Sequence, residues 1–193
     1  MAGIDVIARY RRLGIALHTS TVVTRRNLPH LADIYRFLRA HGVLQVVFNV
    51  MQANGRANTF FEQLFPTYTE IAAAAEAFLA EAGQRERPVE AYFVDIPLCT
   101  TTRLPDHNRG YVEDYAHYEP PNPGHDIVAD PESRRGGASG ELVQIRRADL
   151  DDSARRKRPE CRGCRHDAVC EGVWGNYLRR YGWDEFVPVP PAT

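Results

Sequence analysis

The tightest constraint on the fold is the run Val43-Leu-Gln-Val-Val-Phe-Asn-Val50, apolar at nearly every position. A strand with one face in water alternates apolar and polar residues. One this continuous belongs to a sheet buried on both faces, the pattern of a parallel sheet. Ile15–Val23, rich in β-branched residues, reads as a preceding strand, and Val89–Ile96, introduced by Pro88, as a following one. Helical spacing fills the gaps. Ile4, Ile7, Tyr10 and Leu13 mark a first helix ended by Gly14. Leu31, Ile34, Phe37 and Leu38 mark a second, with Asn27 as N-cap, Pro29 early and Gly42 at the end. An alanine-rich third runs from Pro66 to Gly83. The order α-β-α-β-α-β predicts an α/β fold with parallel strands and right-handed crossovers.

The character changes after residue 98. From Pro97 to about Gly140 the chain is dense in Pro, Gly, Asn, Asp and Arg, which predicts a long irregular connection over residues 99–148, with a short strand at Glu141–Ile145. Residues 149–193 read as a cysteine-rich extension, mostly helix and loop. It comprises a charged surface helix over Asp149–Lys157 and a second helix from about Asp167 to Arg180. The 193 residues accommodate one ordinary domain, here 1–98, plus these appendages. A net charge of −1 gives no reason to expect nucleic acid as partner. The sequence has no apolar run of membrane-spanning length and no signal-peptide pattern at Met1, so a cytoplasmic protein is expected.

Three of the four cysteines fall in Cys161-Arg-Gly-Cys164-Arg-His-Asp-Ala-Val-Cys170. That spacing is too tight for ordinary disulfide pairing and suits a metal loop, while a secreted chain would use four cysteines as two disulfides. Cys99 is the fourth. Four thiolates make a tetrahedral sulfur site, whose usual occupants are zinc or an iron–sulfur cluster. His166, inside the loop, is the alternative fourth donor, and His107, His117 and His125 are weaker ones. On the expected helix, Cys170, Trp174, Tyr177 and Tyr181 share one face. The aromatics there either shield the thiolate or pack the helix onto the sheet. Gly163 is suited to bringing backbone N–H groups close to the sulfurs. Arg155-Arg-Lys-Arg158 reads as a solvated face beside an anionic centre.

In parallel α/β folds, ligands sit beyond the carboxyl ends of the strands. Those ends supply Thr24 and Asn27, then Asn49, Asn54 and Gly55, then Asp95 and Pro97, with Cys99 at the same mouth. Singly, Asn27 is also explained as a helix cap and Asn54-Gly55 as a turn. Three αβ units do not close a barrel, so either this domain is part of a larger barrel or the C-terminal segment covers an edge of the sheet.

The strand followed by Val23-Thr-Arg-Arg-Asn27, the second leading to Asn54-Gly-Arg-Ala57 and the third ending Asp95-Ile-Pro97 resemble the second half of a radical S-adenosylmethionine enzyme core. The tail resembles the auxiliary-cluster (SPASM/twitch-like) extensions of that superfamily. It has Cys-x2-Cys-x5-Cys, then Gly172-Val-Trp-x2-Tyr177, then Gly182-x-Asp-Glu-Phe-x-Pro188. The resemblance implies half of a (β/α)6 barrel and one auxiliary [4Fe–4S] cluster on Cys99, Cys161, Cys164 and Cys170. Asn27, Asn49, Asn54 and Gly55 would face S-adenosylmethionine and a peptide or small-molecule substrate. Two departures matter. The sequence has no CxxxCxxC, the loop that carries the radical-forming cluster, so the chain alone is not expected to cleave S-adenosylmethionine and would need the missing N-terminal half-barrel. The position four after Cys170 is Trp174, so the second auxiliary cluster of the longest extensions has no ligands here. A non-catalytic zinc-binding module is the alternative. A flavodoxin-like domain is disfavoured, because no phosphate loop follows any strand.

Overall fold

The computed structural model of the chain describes residues 2–51, 56–104, 107, 125–129, 142–146, 155–170 and 172–191. Helix α1 (Ala2–Arg12) precedes β1 (His18–Val23), and a 3-10 turn (Leu28–His30) leads into α2 (Leu31–Ala40) and β2 (Gln45–Val50). The short helices α3 (Arg56–Thr59) and α4 (Phe61–Leu64) and the long α5 (Tyr68–Ala82) then lead to β3 (Ala91–Val94). The strands form one parallel sheet in the order β1–β2–β3, so the expected α/β alternation is present. Among the described residues this sheet is open, with β1 and β3 at its edges.

Register sorts the side chains into two faces. Thr21, Phe48 and Phe93 align across the sheet, as do Thr19, Val46 and Ala91. Phe48 and Phe93 stack at 5.3 Å, and Phe78 of α5 meets both edge-on, at 5.5 and 6.1 Å. Each fully buried aromatic of this kind contributes roughly 1.5–3 kcal/mol. The opposite face carries Ser20, Val47 and Tyr92, then Val22, Asn49 and Val94. It is only partly covered by described residues, and Val22 is 51% exposed.

Helix α2 turns Leu31, Ile34 and Leu38 to the core as the periodicity implies, but not Phe37. Phe37 is 46% exposed and rests on the His41 ring, while Tyr35 is buried. Tyrosine wins because its ring packs on Phe78 while its hydroxyl donates to Glu86 Oε2 (2.8 Å) and accepts the Glu90 N–H (3.1 Å). A buried ring with a satisfied polar end costs little.

Beyond the sheet the chain departs from expectation in three places. Strand β5 (Leu142–Arg146) matches the expected short strand, but it pairs antiparallel with β4 (His125–Ala129), inside the segment expected to be irregular. At Arg155–Arg156 the chain is a strand, β6, and not the end of a surface helix; residues 149–154 of that expected helix lie outside the described residues. The helix expected over 167–180 is α6, Gly175–Tyr181 only. Ahead of it lies β7 (Val173–Trp174), antiparallel to β6. Gly172, at φ +94°, breaks the helical path there.

The tail is fastened to the N-terminus of α5. Thr67 caps that helix in a reciprocal box with Glu70, whose carboxyl is held below its usual range by the Thr67 N–H, aided by Arg25. The other free amides are met from the tail. Tyr68 N donates to the Tyr177 hydroxyl (3.1 Å), and Thr69 N to Glu185 Oε2 (2.7 Å). The Tyr177 hydroxyl in turn donates to Glu185, which also places a negative charge at the positive end of the helix. Around this lock Phe65, Tyr68, Tyr177 and Phe186 pack ring to ring. Tyr177→Phe keeps the rings and removes the hydroxyl, which leaves the Tyr68 N–H buried without a partner. We expect a loss of about 1–3 kcal/mol, read as a lower urea midpoint at unchanged slope. Wild-type stability in that variant would show that the hydroxyl does not hold the tail.

Candidate metal centre

Beyond β3 the chain makes a turn that sets the site. Asp95 adopts φ +62°, a left-handed conformation that aspartate tolerates better than most side chains. Its carboxylate forms an ion pair with Arg155 on β6, both groups being largely buried. The Arg155 guanidinium lies 4.2 Å from the centre of the Trp174 ring, on the paired strand β7. After the turn, Ile96 and Leu98 are buried, and Cys99 sits in a 3-10 turn over Leu98–Thr100.

Cys99 opens onto a cavity whose lining also includes Cys161, Cys164 and Cys170. All four cysteines are unpaired and half-buried. The cavity volume is about 30 Å³, and the rest of the wall includes Pro97, Val173, Trp183, Phe186 and Pro188. Two backbone amides point at sulfur: Gly172 N at 3.4 Å from Cys170 Sγ, and Val189 N at 3.4 Å from Cys164 Sγ. Such N–H···S bonds stabilise thiolates and tune what they hold. Burial pushes the Cys99 thiol up to about 12, with the neighbouring Cys170 and Cys164 adding to the rise. A cation in the cavity would reverse that preference by stabilising the thiolate.

Among the described residues no group of three or more His, Cys, Asp or Glu forms a single-ion site. Zinc with bonds of ~2.3 Å would need its four sulfurs about 3.8 Å apart.

The other expected donors fall elsewhere. His166 does line the cavity; it is 9% exposed, and its Nε2 accepts from Arg165 Nε at 3.1 Å. His107 bonds the Ala91 carbonyl (2.7 Å), at the opposite end of β3 from Cys99. His125 lies on β4, and His117 is outside the described residues. The Asn27 side chain closes its own turn. Its Oδ1 accepts from Thr24 N (2.7 Å), and its Nδ2 donates to the Val22 carbonyl (2.8 Å). Asn49 lies on the partly covered sheet face, level with Val22 and Val94. Asn54 and Gly55 lie outside the described residues.

Three readings of the loop need correction. The aromatic wall comes from Trp183 and Phe186, and not from Trp174, Tyr177 and Tyr181 on a helix shared with Cys170. Tyr177 and Tyr181 pack on Phe61, and Trp174 supports Arg155. The glycine needed for close approach is Gly172 and not Gly163. A Cβ at 172 would lie 2.4 Å from the Arg156 carbonyl oxygen, while one at 163 would meet nothing within 4 Å. Arg155–Arg158 is not simply a solvated face. Besides Arg155, Arg158 donates to the Phe186 carbonyl, and Lys157 donates to Asp167 Oδ1 at 2.9 Å.

Compared with known protein families, with curated protein sequences and with solved structures, the chain matches none. No described helix is long and apolar enough to cross a membrane.

Gly172→Ala adds that clashing Cβ at a positive φ, so we expect at least about 1 kcal/mol of destabilisation and weaker retention of metal. Melting temperature and metal per chain after gel filtration check this. An unchanged pair of values would mean that the β6–β7 turn relaxes freely.

Proposed function

We propose that this chain is the C-terminal portion of a radical S-adenosylmethionine enzyme, carrying one auxiliary [4Fe–4S] cluster on Cys99, Cys161, Cys164 and Cys170. One observation carries the reading. Thiols from two segments more than 60 residues apart line one largely apolar cavity, beside the carboxyl end of a parallel sheet. The two amide-to-sulfur contacts and the nearby Arg156 and Lys157 suit an anionic thiolate centre.

The three-stranded sheet supports the other half of the reading, a partial (β/α)6 barrel. Its helix-covered face would be the outside of that barrel. The face bearing Val22, Asn49 and Tyr92 would be the inside, where Asn49 would meet S-adenosylmethionine or substrate. Asn27, with its side chain spent on its turn, would act by shaping the strand end. The sequence has no CxxxCxxC, so the radical-forming cluster would come from chain not present here. With four thiolate ligands every iron of the auxiliary cluster is saturated, and the centre serves in electron transfer or in holding the fold, without binding substrate.

The test is composition. Protein purified without oxygen should contain roughly four irons and four sulfides per chain, with a broad band near 400 nm. About one zinc and no sulfide would overturn the proposal in favour of a structural zinc module. Cys99→Ala should abolish or convert the cluster. Unchanged iron content and spectrum in that variant would remove Cys99 from the ligand set.

A further inference from the structure

Helices α2 and α5 carry matching rows of residues on either side of a second cavity. On α2, Ala32, Tyr35, Arg36 and Arg39 fall at i, i+3, i+4 and i+7. Phe78, Glu81, Ala82 and Arg85 repeat that spacing along α5 and the turn after it. All eight line the cavity, together with Glu86. Its volume is about 170 Å³, against about 30 Å³ at the cysteines. An apolar cavity of about 150 Å³ is large enough for a benzene ring.

The floor is aromatic. Tyr35 and Phe78 are both buried and meet edge to face, with ring centres 5.2 Å apart. The short side chains of Ala32 and Ala82 leave the space above them unfilled. Tyr35 spends its hydroxyl on Glu86 and the Glu90 N–H, so the floor presents rings rather than a hydroxyl.

The rim is charged, and it does not balance. Arg39 is held by Glu86 and by the Val43 and Leu44 carbonyls. Arg36 is shared between Asp33 and Glu81. Arg85 is exposed and makes no ion pair or side-chain hydrogen bond among the described residues. A basic residue past a helix end often serves the last carbonyls. At the end of α5 that part is taken by Arg87, whose Nε donates to the Gly83 carbonyl at 3.0 Å. Three guanidinium groups and two carboxylates thus line the cavity, and the guanidinium left over is that of Arg85.

We propose that this cavity binds a small aromatic monocarboxylate, its ring on Tyr35 and Phe78 and its carboxylate on Arg85. The aromatic floor suits a flat ring, and a guanidinium takes a carboxylate through two parallel hydrogen bonds. A phosphate fits less well. It leaves the rings uncovered and brings a second negative charge beside Glu81 and Glu86. The cavity lies on the helix-covered side of the sheet, since Phe78 also packs on Phe48 and Phe93. That is the side away from Asn49, so the inference does not rest on the cluster reading above.

The experiment titrates the full chain with benzoate and follows binding by ligand-detected NMR. Benzyl alcohol serves as the neutral ring and acetate as the carboxylate without a ring. Benzoate should bind with a dissociation constant of about 1 mM or lower, and both controls about tenfold more weakly or worse. Arg85→Gln should weaken benzoate about tenfold and leave benzyl alcohol unchanged. Ala82→Leu fills the cavity and should abolish binding of both rings. In the wild-type chain benzoate should also shift the ring signals of Tyr35 and Phe78, a readout that stands if Ala82→Leu does not fold.

No benzoate binding by about 20 mM would overturn the site. Equal affinity for benzoate and benzyl alcohol, or full benzoate affinity in Arg85→Gln, would overturn recognition of the carboxylate by Arg85. Binding that leaves the Tyr35 and Phe78 signals in place would put the ligand elsewhere and overturn the proposal. The metal content of the chain decides the cluster reading and has no bearing on these outcomes.

Discussion

The Arg155 guanidinium joins two parts of the chain that sequence keeps far apart. It pairs with Asp95, where the third strand turns off the sheet, and lies on the ring of Trp174 in the extension. Neither contact would be worth much in water. Here both charges are largely buried, so removing one partner would strand the other, at a cost of about 3–5 kcal/mol. The pair also holds Asp95 in a left-handed conformation that by itself costs of order 1 kcal/mol. The direction in which Cys99 leaves the sheet and the position of β6, which opens the cysteine loop, are thereby fixed by one ion pair. The site geometry follows from that constraint.

A second tie works at the other end of the extension. The tail run 182–188 supplies Glu185 to the amides of α5, Phe186 to both the aromatic lock and the cavity wall, and Pro188 to the same wall. Val189 then sends its N–H to Cys164. A stretch of eight residues thus faces the sheet domain with some side chains and the cysteine cavity with others. Packing on one side and lining on the other are coupled, because one short run supplies both and Phe186 takes part in each.

The sheet was legible because its signals are local. Val43–Val50 reads as buried whatever lies around it, and Pro66 ahead of an alanine-rich run marks a helix start by itself. The cysteine loop was legible for the same reason, since its spacing suits a metal whatever the fold. What sequence hid was set by partners distant in the chain. Trp174, Tyr177 and Tyr181 have helical spacing from Cys170, yet Gly172 and the pairing of β7 with β6 separate the cysteine from the helix. Arg155–Arg158 reads as a solvated run because nothing nearby in sequence announces Asp95 or the Phe186 carbonyl. Tyr35 displaces Phe37 from the core because Glu86 and Glu90, half a hundred residues on, satisfy its hydroxyl. Periodicity counts apolar residues and has no means of seeing that a polar end is satisfied.

The separation of the cysteines also bears on what a bound centre would add. Three donors come from ten residues, but Cys99 lies across a long connection, so a ligand held by all four would close that connection as a staple does. Closing a longer loop removes more disorder from the unfolded chain, and metal binding of this kind is folding free energy. Yet the extension already has two fastenings that need no metal, the Arg155 bridge and the capped end of α5. Both draw the segments that carry the four thiols toward one cavity. In the cluster reading, the centre would reinforce a placement that packing and charge have largely made, and the entropy of assembling its donors would be met in advance by the fold.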